Sequence, residues 1–205
     1  MLKDLTISKF LEQTASAEPL PGGGCVAALN AALAASLTEM VANLTIGREQ
    51  FHAVEEDMQK IAKGAADLRE KLANDIENDA QAYHQVLAAF KLPKSTDEDK
   101  KQRSSAIQQA FKTAATVPLG VARDAFHIMD LSARAIRDGN PNAASDGAVA
   151  VLAARTAAMA AIYNVKINLS AIKDPEFVAE LTREIEELKY QVIEKEKEIL
   201  ALVNI

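Results

Sequence analysis

At 205 residues, 49% of them hydrophobic and 25% charged, the chain is long enough for a single domain (1–205) with a substantial core and too apolar for intrinsic disorder. Its formal net charge of -6 comes without a basic block, which leaves no electrostatic grip on nucleic-acid phosphates. A single cysteine, Cys25, excludes an intrachain disulfide, and Met1-Leu2-Lys3-Asp4-Leu5 lacks the apolar run of a secretory signal; a cytoplasmic protein is expected.

Five of the six prolines (Pro19, Pro21, Pro93, Pro141, Pro175) fall between periodic segments, where a missing N–H is harmless. No stretch alternates with period two between hairpin signals, so the expected fold is all-α with about six helices. A short first helix spans roughly Thr6 to Ala15. The second follows the loop Pro19-Leu20-Pro21-Gly22-Gly23-Gly24. Its longest apolar tract, Val26 to Leu44, is broken by Asn30, Ser36, Thr38, Glu39 and Asn43, which fits a buried helix and not a membrane span. Alanines around Leu29, Leu33 and Leu37 make it apolar on most sides, a central helix that neighbours approach closely.

The third helix is expected from about Gln50 to Phe90, on the order of 60 Å long. Its core stripe reads Ile61, Ala65, Leu68, Leu72, Ile76, Tyr83, Val86 and Phe90, and the one gap is filled by Asp79. After a polar link from Pro93 to about Lys100, the fourth helix continues to Asp138. It is expected to kink near Pro118, whose ring opposes the carbonyl of Ala114, and Gly139 ends it. Asn140-Pro141-Asn142 opens the fifth helix, with either Asn available as cap. Along it Asp146, Ala150, Ala153, Ala157, Ala161, Asn164 and Asn168 share one face. The sixth starts near Pro175 with Val178, Leu181, Ile185, Leu188, Val192, Ile199 and Leu202 in a heptad-like stripe. Lys195 takes the off-pattern slot, and the helix reads as a packing or dimerisation element. Its Glu/Lys-rich side, Glu184 to Glu198, reads as a solvated face.

A buried carboxylate is costly unless paired, so Asp79 and Asp146 are the two to explain; each either lines a pocket or pairs structurally with a neighbouring helix. Gly22-Gly23-Gly24 before a helix is either a plain turn or a close approach of backbone to a ligand. It matches neither the phosphate-loop nor the dinucleotide pattern. His52, His84 and His127 are far apart and none has metal-ligand spacing, so no metal is expected. Cys25 at a helix start reads first as a small buried hydrophobe. Asn164 and Asn168, one turn apart, suit the polar edge of a heterocycle or an inter-helix tie.

Several ordered blocks carry a resemblance over most of the chain. They are Pro21-Gly22-Gly23-Gly24-Cys25-Val26-Ala27-Ala28; Met40-Val41; Leu44-Thr45-Ile46-Gly47-Arg48; Asp79-Ala80-Gln81-Ala82-Tyr83; Leu92-Pro93; Val117-Pro118-Leu119; Gly139-Asn140 with Ser145-Asp146; and Asn164-Val165-Lys166-Ile167-Asn168-Leu169. Together they resemble the cyclodeaminase domain of formiminotransferase-cyclodeaminases and the stand-alone methenyltetrahydrofolate cyclohydrolases. Cys25 stands where that pattern has serine.

The resemblance implies an antiparallel helical bundle acting as a homodimer. It also implies a tetrahydrofolate derivative bound as substrate near the glycine loop and the two carboxylates, with no permanent cofactor, no metal, no nucleic acid and no membrane. Asp79 and Asp146 are then the expected catalytic groups. Gly22, Gly23, Gly24, Arg48, Tyr83, Asn140, Ser145, Asn164, Lys166 and Asn168 are the expected substrate contacts, with Arg48 and Lys166 toward the folate's glutamate tail. The bridging carbon of 5,10-methenyltetrahydrofolate is an electron-poor amidinium that water can attack directly. One acid–base pair serves either its hydrolysis to 10-formyltetrahydrofolate or the cyclodeamination of 5-formiminotetrahydrofolate. The sequence carries no formiminotransferase segment, a domain context that favours the cyclohydrolase. A non-catalytic helical assembly protein is the rival reading, and it leaves Asp79 and the glycine loop unexplained.

Overall fold

The computed structural model describes residues 1–203. Six α-helices fold among the described residues: α1 (Ile7–Thr14), α2 (Gly23–Asn43), α3 (Glu55–Phe90), α4 (Asp97–Asp138), α5 (Ala144–Leu169) and α6 (Pro175–Leu200). Short 3-10 helices occupy Leu2–Asp4, Glu49–Val54 and Pro141–Ala143, and there is no strand in the described part. The all-helical expectation holds, with differences at the helix starts that local chemistry explains.

The third helix is shorter than expected, because Glu49–Val54 winds as a 3-10 helix and the α-helix begins at Glu55. Glu55, Glu56 and Asp57 occupy the first turn of α3, where the helix dipole favours negative charge. Thr96 caps α4 in a capping box with Asp99, a reciprocal bonding that satisfies two free N–H groups. Neither candidate Asn caps α5 itself, whose N-cap position is Ala143; Asn140 caps the 3-10 helix that leads into it, its side chain accepting from the Asn142 N–H at 3.1 Å.

The α4 helix runs unbroken through Pro118. Proline has no N–H for the Ala114 carbonyl, and the side chain of Asn168 donates to that carbonyl instead, at 2.8 Å. The cost of an internal proline is thus offset by a residue on α5.

At the centre α2 packs on α3, α4 and α5, and α5 packs on α4 and α6. Ala27, Ala28, Ala31, Ala34 and Ala35 of α2 are fully buried, as are Ala150, Ala154, Ala157, Ala158 and Ala161 of α5. These small side chains let backbones approach, while Leu72, Ile128 and Met129 each contribute about 1.5–3 kcal/mol by leaving water. By length and composition α2 and the Pro141–Leu169 segment are long and apolar enough to cross a membrane. Both are core helices of this bundle.

The α6 stripe is used within the chain. Leu181, Ile185, Leu188, Val192 and Ile199 are buried against the main core, so it does not supply a free dimerisation seam. Its off-pattern Lys195 pairs with Asp130 of α4 and sits 3.9 Å from the centroid of the Phe126 ring. The charged side is partly engaged as well: Glu184 takes a two-point grip from Arg123 at 2.5 and 2.7 Å.

The outward apolar surface lies elsewhere. Leu33 and Met40 of α2, Leu44 at its C-cap, and Val149, Leu152, Tyr163 and Ile167 of α5 are exposed, Tyr163 by 66% and Ile167 by 68%. In each set the spacings of three, four, seven and eleven residues are near whole helical turns and so fall on one face.

Candidate active site

A cavity of about 410 Å³ opens at the glycine-loop end of the bundle. Its walls come from Pro19, Leu20 and the three glycines, from Asp79, Ala82, Tyr83 and Val86 of α3, from Phe111 and Ala114 of α4, and from Asn164, Ile167 and Asn168 of α5. This size accommodates a small organic molecule. Tyr83 and Phe111 offer aromatic surface to a flat ring.

The glycines set how closely α2 meets α3. A Cβ on Gly24 would lie 2.0 Å from Oδ1 of Asp79, and one on Gly23 would lie 3.3 Å from the Asn164 amide nitrogen. The carboxylate therefore occupies the space a side chain at Gly24 would take. Gly22 is the N-cap position of α2 and provides no side-chain cap. Asp79 stands at that N-terminus, where backbone dipoles favour an anion.

Asp79 is half-buried and makes no ion pair among the described residues. Burial holds its carboxyl above the ordinary carboxylate value, opposed by hydrogen bonds from the Cys25 thiol and main-chain N–H. Cys25 Sγ is 3.2 Å from Oδ2. Desolvation, reinforced by the neighbouring Asp79 charge, pushes the thiol up to about 12, so it stays S–H and donates.

Asn164 and Asn168 both line the cavity, and each donates through its amide nitrogen to main chain: Asn164 to Ala160 O at 2.9 Å, Asn168 to Ala114 O and Asn164 O at 2.8 Å. Their amide oxygens accept no hydrogen bond among the described residues. Two acceptors are thus fixed in orientation and uncommitted.

The structure therefore gathers Gly22, Gly23, Gly24, Asp79, Tyr83, Asn164 and Asn168, and leaves the other expected site residues elsewhere in the same chain. Asp146 lies in the first turn of α5, about 27 Å along that helix from Asn164 at roughly 1.5 Å per residue. Sharing a helical face does not bring positions five turns apart into one pocket. Ser145 is exposed beside it. Asn140 is buried and fully used in holding chain segments together: its N–H donates to Thr45 Oγ1 at 2.9 Å and its amide to Leu44 O at 3.1 Å. Arg48 is exposed beyond the far end of α2, at the start of the 3-10 helix. Lys166 faces α6, where Glu186 holds it at 2.5 Å. Phe111, Ala114, Pro19, Leu20 and Ile167 are cavity residues not singled out from the sequence; Pro19 and Leu20 lie in the glycine loop, Ile167 in the block from Asn164 to Leu169 and Ala114 opposite Pro118, while Phe111 carried no signal.

No cluster of three His, Cys, Asp or Glu side chains suited to a metal occurs among the described residues. The glycine loop and the Asp79 block fall within residues 6–187, which match the formiminotransferase-cyclodeaminase family.

The chain belongs to the formiminotransferase-cyclodeaminase family.

Among its relatives is a methenyltetrahydrofolate cyclohydrolase of Methylorubrum extorquens, 40% identical over 89% of this chain and 88% of that protein. A formimidoyltransferase-cyclodeaminase of Sus scrofa is 35% identical over 87% of this chain but only 33% of its own length. The crystal structure of a formiminotetrahydrofolate cyclodeaminase from Thermotoga maritima superimposes with a TM-score of 0.88 at 29% identity, covering 99% of this chain and 98% of that one. The fold of this family member is thus shared from end to end with a solved relative.

Proposed function

We propose that this protein is a methenyltetrahydrofolate cyclohydrolase that hydrolyses 5,10-methenyltetrahydrofolate to 10-formyltetrahydrofolate. The observation that carries the reading is Asp79, a carboxylate without a cation partner, facing a cavity of ligand size. Sequence identity to the Methylorubrum cyclohydrolase over nearly the full length of both chains supports this reaction within the family.

The cationic amidinium carbon seats against Asp79, whose negative charge stabilises it in a poorly hydrated site. As water attacks that carbon, the carboxylate takes one water proton, and burial has already raised its affinity for it. Neutral Asp79 then returns the proton to the ring nitrogen. The carbon–nitrogen bond breaks, the adduct's hydroxyl gives up its proton to solvent, and the formyl group remains on the other nitrogen. Tyr83 and Phe111 hold the heterocycle, and the amide oxygens of Asn164 and Asn168 accept from its N–H groups.

A homodimer is part of this proposal, and it is built on the exposed α2–α5 face instead of α6. Leu33, Val149, Tyr163 and Ile167 form a surface larger than scattered apolar residues make. Ile167 belongs both to that face and to the cavity wall. With the two-fold axis perpendicular to α5, the two α5 helices run in opposite senses, so that the Asp146 end of one copy approaches the cavity of the other. Within a chain, the pairs Cys25–Asp79 and Glu39–Arg69 support an antiparallel course of α2 and α3. A single free, buried cysteine suits the cytoplasm.

The cyclodeaminase reading is favoured by the Thermotoga structure and uses the same carbon and the same carboxylate. Purified protein offered each substrate in turn separates them: rapid loss of the methenyl chromophore with slow or absent ammonia release is expected. Ammonia release from 5-formiminotetrahydrofolate at the higher kcat/KM would reverse the assignment, and turnover of neither would overturn the enzymatic reading.

A further inference from the structure

The contact between Cys25 and Asp79 has a chemical asymmetry. The thiol is fully buried and its Sγ is 3.2 Å from Oδ2 of Asp79, on the side of the carboxylate that faces α2. Gly24 leaves the room for that approach, since any Cβ there would overlap Oδ1 and both flanking carboxylate atoms. The carboxylate is thus wedged against one turn of α2, and its orientation is set by what residue 25 offers.

Few other groups compete for it. Along its own helix the cavity presents only the Tyr83 phenol; α4 presents Phe111 and Ala114, α5 the neutral amides Asn164 and Asn168, and the glycine loop Pro19 and Leu20. The nearest lysines in sequence on these helices are engaged elsewhere, Lys112 with Asp174, Lys166 with Glu186 and Lys71 with Asp75 and Asp124. The proton affinity of Asp79 therefore rests on burial, on the Cys25 main-chain N–H and on one side-chain donor, the Cys25 thiol.

We propose that Cys25 is a positioning residue for Asp79: its neutral S–H fixes Oδ2 while, as a weak donor, leaving the carboxylate more basic than an oxygen donor in the same place would. A thiol hydrogen bond stabilises an anion less than a hydroxyl one. Residue 25 thereby sets the pH below which the general base is lost. This inference rests on the reading of Asp79 as the acid–base group of the folate site.

The test compares wild type, Cys25→Ser and Cys25→Ala by two readouts: the acid limb of kcat/KM against pH, and the titration of the Asp79 carboxyl carbon by NMR, assigned with Asp79→Asn. Serine is smaller than cysteine by little and keeps a donor, so Cys25→Ser should fold and should move both midpoints to lower pH by roughly half a unit to one unit. Cys25→Ala, with no donor, should move both upward. A purely structural cysteine would change the unfolding midpoint and leave both titrations in place. Coincident Asp79 midpoints in wild type and Cys25→Ser overturn the inference, whatever the activities and whether or not the alanine variant folds. Wild-type turnover by Asp79→Asn overturns the catalytic reading instead, and the carboxyl titration still decides the role of Cys25.

Discussion

At the glycine-loop end of the α2–α5 pair, Asp79 has no ion-pair partner and two amide oxygens are uncommitted among the described residues, and a cavity lies between them. At the opposite end, Thr45 and Asn140 spend their polar groups on each other, on main chain and on the Asn142 N–H, and Asn140 is buried to 4% exposure. Asparagine, glycine and aspartate are present at both. Residue type does not distinguish the two ends; what distinguishes them is whether hydrogen-bonding capacity remains after the fold is satisfied. Unspent, oriented polar atoms beside an open volume mark a place that binds something, and fully spent ones mark a joint.

The largest effect that would break this contrast is at Asp79. Asp79→Asn keeps shape and deletes charge, so kcat should fall by about 10²-fold or more. Stability should move the other way. The folded-state value of Asp79 lies above the ordinary 3.8, so between the two values the folded chain binds more protons than the unfolded chain. Stability therefore declines as pH rises through that window, and the penalty is fully present above it. The Asn variant lacks the penalty: its denaturation midpoint should equal or exceed wild type at neutral pH, with the difference closing in acid. A variant that unfolds earlier and turns over normally would assign Asp79 to the fold.

Much of this was legible in the sequence, and the losses have physical causes. Proline and glycine punctuation located the helices, and the phase of Asp79 on an otherwise apolar stripe identified the one carboxylate in the cavity. The stripe of α6 left packing and dimerisation open because a core seam and a dimer seam have the same period; only the fold shows that α4 and α5 already cover it. Conversely, α2 and α5 are apolar nearly all round, so no outward face stood out until neighbours covered the other sides. Phe111 and Ala114 reach the cavity from a helix joined to α3 by a distant turn, a juxtaposition that no local pattern encodes. Arg48 and Asp146 belonged to blocks with a family likeness, but their distance from the cavity depends on helix length, and a likeness of blocks carries no such distance.

The separation of Asp79 from Asp146 within one chain sharpens the comparison through the proposed dimer. Asp146→Asn is expected to lose about 10-fold or more in kcat if the far end of one copy serves the cavity of the other. Refolding an equal mixture of Asp79→Asn and Asp146→Asn chains should then restore about a quarter of wild-type activity, because half of the dimers are mixed and each has one intact site. Recovery is read as turnover per total dimer, with each variant refolded alone as control. Near-normal activity of Asp146→Asn, or no recovery on mixing, would reduce Asp146 to a favourable charge in the first turn of α5 and confine the site to a single chain.

The smallest effect on catalysis is expected at the fully spent end. Asn140 does three things at once: its N–H meets Thr45, its amide nitrogen meets the last turn of α2 at Leu44, and its amide oxygen receives the Asn142 N–H. Asn140→Ala keeps the first bond and removes the other two, both only partly buried, which costs about 1–3 kcal/mol. Asn140→Asp separates those two, because a carboxylate still accepts from Asn142, as an N-cap does, but it cannot donate and instead faces the Leu44 carbonyl. The aspartate variant should therefore be destabilised as well, by loss of the α2 tie alone. Calorimetric or denaturant midpoints report these losses, while kcat and KM measured well below the midpoint should stay within about twofold of wild type. If instead KM rose strongly in both variants with the midpoints unmoved, Asn140 would be holding substrate, and the distinction between a binding end and a structural end would fail at its clearest residue.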